Sequence, residues 1–232
     1  MSTLHVLSTK KLKTAVAEQL KQAGISLIEK DFIRIDTASS DETIKQFIDS
    51  INTDAYVIFT SSNAVDAIAD HVKDVKWKVF CISGKTKEAV LEKLNLEIIA
   101  TADTGVDLAK GIIQHGVKEV IFFSGNIRRK ELPQILHEAG VLIKELTVYK
   151  TIATSEKINN NFDAVFFFSP SAVQSFFSQN QLSTTTVCFA IGNTTAEEIR
   201  KFVQNQIIIA EKPTQEFLLF AVNQFYKKEV QS

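Results

Sequence analysis

The chain has 232 residues, of which 45% are hydrophobic and 23% charged, as in an ordinary globular protein. Its 26 basic and 27 acidic residues leave a net charge of −1, which argues against a nucleic-acid-binding protein, since such proteins present a basic face to phosphates. No apolar run approaches the length of a membrane span, and the first residues lack the apolar core of a signal peptide, so we expect neither membrane insertion nor secretion.

Runs of β-branched and aromatic residues alternate with helical periodicity along the whole chain. They predict ten strands, at 4–9, 25–35, 56–61, 78–83, 96–101, 119–124, 141–151, 163–169, 187–191 and 206–210. Between most of them apolar residues recur at i, i+3 and i+4, as in LKTAVAEQLKQAG. Strands separated by helices predict parallel βα units. Because ten strands are many for one open sheet, we expect two five-stranded lobes.

An internal repeat supports two lobes. A shift of 108 residues places one set of eight residues on another. The pairs are Val57, Phe59, Ser61, Ala64, Val65, Val79, Gly84 and Thr86 on Val165, Phe167, Ser169, Ala172, Val173, Val187, Gly192 and Thr194. A weaker match at a shift of 116 relates 8–29 to 124–145, so the order is short, long, short, long unit. The repeat leaves open which short unit joins which long one.

Two regions, 25–38 and 141–154, are longer than a typical strand and could cross between the lobes. The polar segments 36–41 and 152–161 are typical of connectors, and we expect hinges there.

Small polar residues follow the predicted strands at five corners. They are Thr60, Ser61, Ser62 and Asn63; Gly84, Lys85 and Thr86; Gly125 and Asn126; Ser169, Pro170 and Ser171; and Gly192, Asn193, Thr194 and Thr195. Each corner is typical of a helix N-cap, Pro170 suits a first helical position, and Thr194 with Glu197 fits a capping box. Together, corners at the carboxyl ends of parallel strands offer backbone N–H groups that bind anions. Such corners could hold a large polyanion without a basic patch.

Motifs for other chemistries are absent from the sequence. The eight glycines form no dinucleotide or P-loop motif. The four histidines, His5, His71, His115 and His137, lack metal-ligand spacing, and no catalytic triad is evident. Cys81 and Cys188 lie inside predicted strands, so we interpret them as buried free thiols. We expect neither a cofactor nor a metal.

Seven segments, taken in order and spacing, resemble the uroporphyrinogen-III synthase family over essentially the whole chain. They are IFTSSNAV, ISGKT, FFSGNIRRKELPQIL, LTVYKT, FFFSPSAV, FAIGNTTAEEI and EKPTQEFLL. The resemblance implies a cofactor-free cytoplasmic enzyme of tetrapyrrole (haem) biosynthesis. Its substrate would be hydroxymethylbilane, a linear tetrapyrrole with four acetate and four propionate groups. The enzyme closes the ring with loss of water and inversion of ring D, through an azafulvene and a spiro intermediate.

The resemblance also implies an architecture and partners. It implies an α/β fold of two flavodoxin-like lobes with parallel five-stranded sheets, in a duplicated and discontinuous arrangement. One lobe would comprise 1–36 and 152–232 and the other 37–151, joined by a two-stranded β bridge near 32–38 and 147–154. The expected partner is the small-molecule substrate, with a transient contact to hydroxymethylbilane synthase allowed, and the expected state is a monomer.

Site residues follow from the same resemblance. The family tyrosine falls on Tyr149, which would donate a hydrogen bond to the leaving ring A hydroxyl, although a packing role is the alternative. The family arginine falls on Arg129. Lys130 stands where an acidic residue is usual, so Glu131 would have to serve for local salt bridging. The substrate-binding candidates are Ser61, Ser62, Asn63, Thr86, Gly125, Asn126, Arg129, Ser169, Ser171, Thr194 and Thr195. Lys212 is a further candidate.

Two other functions remain open on sequence grounds. The chain could be a two-lobed binding protein for another polyanionic small molecule, without chemistry. It could also be a catalytically inactive family member.

Overall fold

Strands and helices alternate along the chain, largely as the sequence predicts. The computed structural model describes residues 3–229, with side chains as far as Tyr226. The strands are β1 (His5–Ser8), β2 (Ser26–Glu29), β3 (Ile33–Thr37), β4 (Tyr56–Phe59), β5 (Lys78–Ile82), β6 (Glu97–Ala102), β7 (Glu119–Gly125), β8 (Leu142–Ala153), β9 (Ala164–Phe167), β10 (Val187–Ala190) and β11 (Ile207–Ile209). The helices are α1 (Thr14–Gln22), α2 (Asp41–Asp49), α3 (Ser62–Ile68), α4 (Lys85–Ala89), α5 (Gly105–Gln114), α6 (Glu131–Glu138), α7 (Pro170–Phe177), α8 (Asn193–Ile199) and α9 (Gln215–Glu229). Short 3₁₀ and π turns extend α3 and α4, at Ala69–His71 and Val90–Leu94.

The first compact unit comprises the chain up to Arg34 and from Ile152 onward. Its five strands are parallel and lie in the order β11-β10-β9-β1-β2. Consecutive residues of β9 point to opposite faces, and both faces are buried: Phe166 packs on the side of α1 and α9, Phe167 on the side of α7 and α8. Because both faces of the sheet are covered, every residue of β9 is buried, which explains its unbroken apolar sequence.

The second unit, Ile35–Thr151, is built in the same way. Its sheet has the order β3-β8-β7-β4-β5-β6, and β8 to β6 are parallel. Val57 and Phe59 of β4 point into one buried cluster, while Ile58 between them points into the cluster on the other face. The α/β class with parallel-dominated sheets is therefore confirmed.

The strand β3 differs from the sequence prediction in two ways. The expected single strand 25–35 is wrong, because the chain turns between Glu29 and Ile33 and places β2 and β3 in different sheets. The second sheet also has six strands rather than five, since β3 lies beside β8 at its edge. Backbone hydrogen bonds run from Ala38 N–H to Val148 O (3.1 Å) and from Thr154 N–H to Phe32 O (3.0 Å). Because the partner residue moves backward along β8 as β3 advances, the two strands are antiparallel.

The predicted connectors are partly regular structure. Strand β3 continues to Thr37 and β8 to Ala153, so only the remainder of 36–41 and 152–161 is loop, and α2 begins at Asp41. The two strands cover the regions assigned to a β bridge, and that role remains a proposal.

Both cysteines are buried free thiols, as predicted. Burial raises the pKa of Cys81 in β5 to about 11 and that of Cys188 in β10 to about 12. These thiols stay protonated near neutral pH and serve as small apolar side chains. Within residues 3–229, no helix is long and apolar enough to cross a bilayer.

Candidate functional site

In each sheet the chain adds strands first toward one side and then toward the other, starting from two neighbouring strands. The place between these two strands, at the carboxyl edge of the sheet, is called the reversal point below. In the first unit this point lies between the neighbours β1 and β9, and in the second it lies between β4 and β7. Connections leave these two strands toward opposite sides, which opens a crevice where open α/β sheets bind ligands. The corners that begin α7 and α3 therefore stand at the preferred ligand position of each unit.

Ser61 and Ser169 cap these two helices, within corners that the sequence predicts to be N-caps. Both have extended backbones, and their Oγ atoms accept hydrogen bonds from Asn63 N–H (3.2 Å) and Ala172 N–H (3.1 Å) respectively. Pro170 occupies the first turn of α7, also as predicted. Among the described residues, the N–H groups of Ser62 and Ser171 make no hydrogen bond, so each helix keeps a backbone donor for an anion.

The next corner along each sheet begins with a glycine. Gly84 precedes α4 and Gly192 precedes α8, and neither helix has a side-chain cap. The predicted capping box of Thr194 and Glu197 is therefore wrong, because α8 begins at Asn193 and Thr194 already lies within its first turn.

The candidate threonines at these corners differ in exposure. Thr194 is exposed, whereas Thr195 is only 1% exposed and Thr86 is also buried. Of the three, Thr194 is the one whose side chain is open to solvent.

The loop after β7 is attached to β8 by side-chain bonds. The Asn126 amide is paired with the backbone of Thr151: Thr151 N–H donates to Oδ1 (2.8 Å) and Nδ2 donates to Thr151 O (3.3 Å). Asn126 N–H donates to Tyr149 O (3.1 Å). The Asn126 side chain, a predicted substrate ligand, is thus already engaged within the protein.

Two adjacent arginines in this loop have different surroundings. Arg128 makes a bidentate pair with Glu145, through Nε (2.5 Å) and Nη2 (2.7 Å), and Glu145 also accepts from Ser124 Oγ (2.6 Å). Arg129 is exposed and has no ion pair among the described residues. Glu131, which could have served for the local salt bridging, does not do so, since within residues 3–229 it has no ion-pair partner. Arg128 and Glu145 provide the local pair instead.

Tyr149 lies beside the carboxyl end of β7, paired with Gly125. Its ring is packed in the core cluster with Val148, and the residue is only 9% exposed. The phenolic oxygen makes no hydrogen bond within residues 3–229, and it keeps some exposure to solvent. A buried ring that presents an unpaired hydroxyl is well placed to donate to a ligand.

The structure therefore groups the candidates within each unit. In the second unit the candidates lie on or after four strands, β4, β5, β7 and β8: Ser61–Asn63, Thr86, Gly125, Asn126, Arg129 and Tyr149. In the first unit they follow the neighbouring strands β9 and β10: Ser169, Ser171, Thr194 and Thr195. Lys212 follows β11 and lies over the ring of Phe217, with Nζ 5.0 Å from its centroid. Among the described residues, no cluster of three acidic, histidine or cysteine side chains could hold a metal ion.

Sequence reasoning missed the loop after β1. Thr9 is buried, and its Oγ1 donates to Phe166 O (2.8 Å), which joins this loop to β9 at the reversal point. Lys10 and Lys11 follow it and are exposed. The run STKK at the end of the first strand was the signal, but it points to a ligand site only once β1 is known to lie next to β9 at the reversal point.

Comparisons with known proteins agree with one another. A family model described as uroporphyrinogen-III synthase HemD matches residues 14–219. The uroporphyrinogen-III synthase of Chlorobaculum parvum is 25% identical over 235 aligned residues, which cover 91% of this chain and 94% of that protein. Two solved structures share the fold. The Helicobacter pylori uroporphyrinogen-III synthetase has a TM-score of 0.66 at 16% identity, covering 96% of this chain and all of that one. A mutant Thermus thermophilus uroporphyrinogen III synthase has a TM-score of 0.67 at 14% identity, covering 99% and 100%.

Proposed function

The chain belongs to the uroporphyrinogen-III synthase family, and we propose that its strand–helix corners bind the carboxylates of hydroxymethylbilane while Tyr149 assists ring closure. The observation that carries this proposal is the Tyr149 phenol. Its ring is held in the core, and its accessible hydroxyl has no hydrogen-bond partner in the described part of the chain. A donor held in place before the substrate arrives costs little to use in the transition state.

The substrate's carboxylates match the donors at the corners. The open N–H groups of Ser62 and Ser171 stand at helix starts, where the helix dipole favours negative charge. The α7 helix also presents the Ser169 cap, and α8 presents the exposed Thr194. Many neutral donors suit a substrate with carboxylates around its rim, and they require no large net positive charge.

Cationic side chains would add to these donors. Arg129 after β7 is exposed and has no ion pair within residues 3–229, which leaves its guanidinium available to a carboxylate. Lys10 and Lys11 after β1 are exposed at the reversal point of the other sheet. We assign Arg129 and Lys10 to carboxylate binding, while Asn126 acts through the loop it anchors.

The proposed reaction begins at ring A. The pyrrole nitrogen lone pair expels the ring A hydroxyl, and the Tyr149 hydroxyl donates a hydrogen bond to the departing oxygen. That oxygen takes up a proton and leaves as water, and the proton released when ring D regains aromaticity balances it. The substituted carbon of ring D attacks the azafulvene, and the resulting spiro compound opens and recloses with ring D inverted. Holding the two chain ends together is largely a positioning task, which can supply much of the rate enhancement.

The remaining expectations are proposals of the same kind. We propose that the two units are the two flavodoxin-like lobes of the family, with strand order 2-1-3-4-5 in the first unit, and that β3 and β8 form the bridge. We also propose a monomer that acts in the cytoplasm, receiving its unstable substrate by transient contact with hydroxymethylbilane synthase. The free thiols Cys81 and Cys188 suit a reducing compartment.

Isomer analysis tests the function. Hydroxymethylbilane would be generated in the same mixture by hydroxymethylbilane synthase, and the isomers formed would be oxidised and separated. The proposal expects the type III isomer in excess over the type I isomer of spontaneous closure. Type I alone would point to a binding protein or an inactive member.

A further inference from the structure

The environment of Gly125 shows a specific requirement for glycine. A Cβ built on Gly125 would lie 2.3 Å from Tyr149 Cζ, 2.6 Å from its hydroxyl oxygen and 2.7 Å from Cε2. Real Cβ atoms essentially never approach other atoms so closely, so the phenol occupies the space that any side chain at this position would need. The backbone conformation does not require a glycine here, because Gly125 does not have a positive φ.

A register shift brings the two residues together. Along most of the β7–β8 ladder one residue faces one, and Ser124 faces Thr147, but Gly125 faces Tyr149. Val148 is therefore an additional residue in β8, as in a β-bulge. In a regular strand, Val148 and Tyr149 would point to opposite faces. Here both pack in the same core cluster, as expected where a bulge re-aims a side chain.

Hydrogen bonds on both edges of β8 hold the bulge in place. Asn126 N–H donates to Tyr149 O (3.1 Å), and the Asn126 side chain is paired with the Thr151 backbone on the far side. On the near side, Ser39 Oγ and Ala38 N–H donate to Thr147 O (2.9 Å) and Val148 O (3.1 Å). The backbone around Tyr149 is thus bonded on both of its edges, and the ring cannot be relocated by a small strand movement.

We propose that Gly125 and the bulge at Val148 are positioning elements for Tyr149: they direct its ring over the end of β7 and present its hydroxyl for reaction. The expected effect on activity rests on the proposed catalytic role of Tyr149. The steric relation between Gly125 and the Tyr149 ring does not depend on that role. Gly125 need not touch the substrate. Its contribution is the absence of a side chain.

A double-mutant cycle between Gly125→Ala and Tyr149→Ala tests the proposal. In the wild-type background, Gly125→Ala should displace the phenol and lower kcat by about 100-fold, the scale expected for a misplaced reacting group, with KM little changed. It should also lower the urea midpoint. In the Tyr149→Ala background the added Cβ meets no ring, so Gly125→Ala should change neither kcat nor the urea midpoint. Gly111→Ala in α5 is the control, because nothing lies within 4 Å of a Cβ at that position.

Every outcome of the double-mutant cycle either supports or contradicts the positioning role. If Gly125→Ala is active and as stable as the wild type, or if its effects are the same in both backgrounds, the positioning role is wrong. If Gly125→Ala fails to fold alone, the proposal expects Gly125→Ala/Tyr149→Ala to fold, and failure of both overturns it. The urea midpoints report on the steric relation even if Tyr149 proves dispensable for catalysis, so failure of this inference and failure of the proposed function give different results.

Discussion

Single side chains at the carboxyl edge of the second unit fall into two groups, those already bonded within the protein and those left open. Arg128 and Asn126 belong to the first group, because their polar atoms bond Glu145 and the Thr151 backbone. Arg129 and the Tyr149 hydroxyl belong to the second. Residues of the first group shape the loop, and we propose that those of the second contact the substrate.

The adjacent arginines allow this division to be tested at one loop. Arg129→Gln should raise KM by about tenfold or more, the cost of losing a charge-assisted hydrogen bond, and leave the free energy of unfolding unchanged. Arg128→Gln should lower the free energy of unfolding by about 1 kcal/mol, because it breaks a partly exposed bidentate pair. Steady-state kinetics and urea titrations measure both effects. A normal KM for Arg129→Gln would remove that residue from the site.

At the scale of whole elements, we expect the helix starts to serve both stability and the binding of substrate carboxylates. Ser169→Asp separates the two roles, since aspartate caps a helix as well as serine does but carries a negative charge. We expect a free energy of unfolding within about 0.5 kcal/mol of the wild type, together with a strongly raised KM, because the new carboxylate repels those of the substrate. Ser169→Thr, which keeps a neutral capping hydroxyl, is the matched control. An unchanged KM for the aspartate variant would show that α7 does not face a carboxylate.

The helices α7 and α8 are joined by a nearly buried carboxylate. Lys201 Nζ donates to Glu198 Oε2 (2.7 Å) and Gln174 Nε2 donates to Oε1 (2.9 Å), while the Glu198 side chain is 10% exposed. The Lys201 bond, assisted by Gln174, holds the pKa of Glu198 below its ordinary value against the opposing effect of burial.

This lowered pKa predicts a loss of stability in acid. Because the unfolded chain takes up a proton on Glu198 before the folded chain does, its stabilising effect is complete above the unfolded pKa, about 4.3, and is lost as the pH falls below it. The free energy of unfolding of Glu198→Gln should therefore depend less on pH in this acidic range than that of the wild type. Glu197→Gln, an exposed neighbour on α8, is the control and should match the wild type. Parallel acid curves for wild type and Glu198→Gln would contradict the assignment.

Secondary-structure elements were predictable from the sequence where neighbouring residues along the chain determine them. The corners at Thr60–Asn63 and Ser169–Ser171 were predicted to cap helices because hydroxyl residues between an apolar run and a helical period are typical N-caps, and the structure identifies the caps as Ser61 and Ser169. Thr194 was misassigned because Gly192 also permits a helix start, and the pattern does not distinguish them. The strand at 25–35 was split by sheet membership, which depends on partners far along the chain. The approach of Tyr149 to Gly125 was likewise invisible, since it requires an additional residue in one strand of a pair.

At the scale of the whole molecule, the duplicated sequence corresponds to duplicated corners. Ser61 and Ser169, related by the shift of 108 residues, both cap helices, and Gly84 and Gly192, related by the same shift, both precede helices. Each unit thus provides a serine corner and a glycine corner on neighbouring strands. Repetition of neutral donors is consistent with a polyanionic substrate and a chain whose net charge is only −1.

The isomer ratio produced by Tyr149→Phe tests the central claim most directly. Removing one preorganised donor should lower turnover by about 100-fold and raise the share of the type I isomer, because spontaneous closure then competes, while product binding is nearly unchanged. Tyr56→Phe is the matched control, since Tyr56 begins β4 at the opposite edge of the sheet. The account predicts this selective loss for Tyr149→Phe alone. Wild-type turnover with the type III isomer in undiminished excess would contradict it.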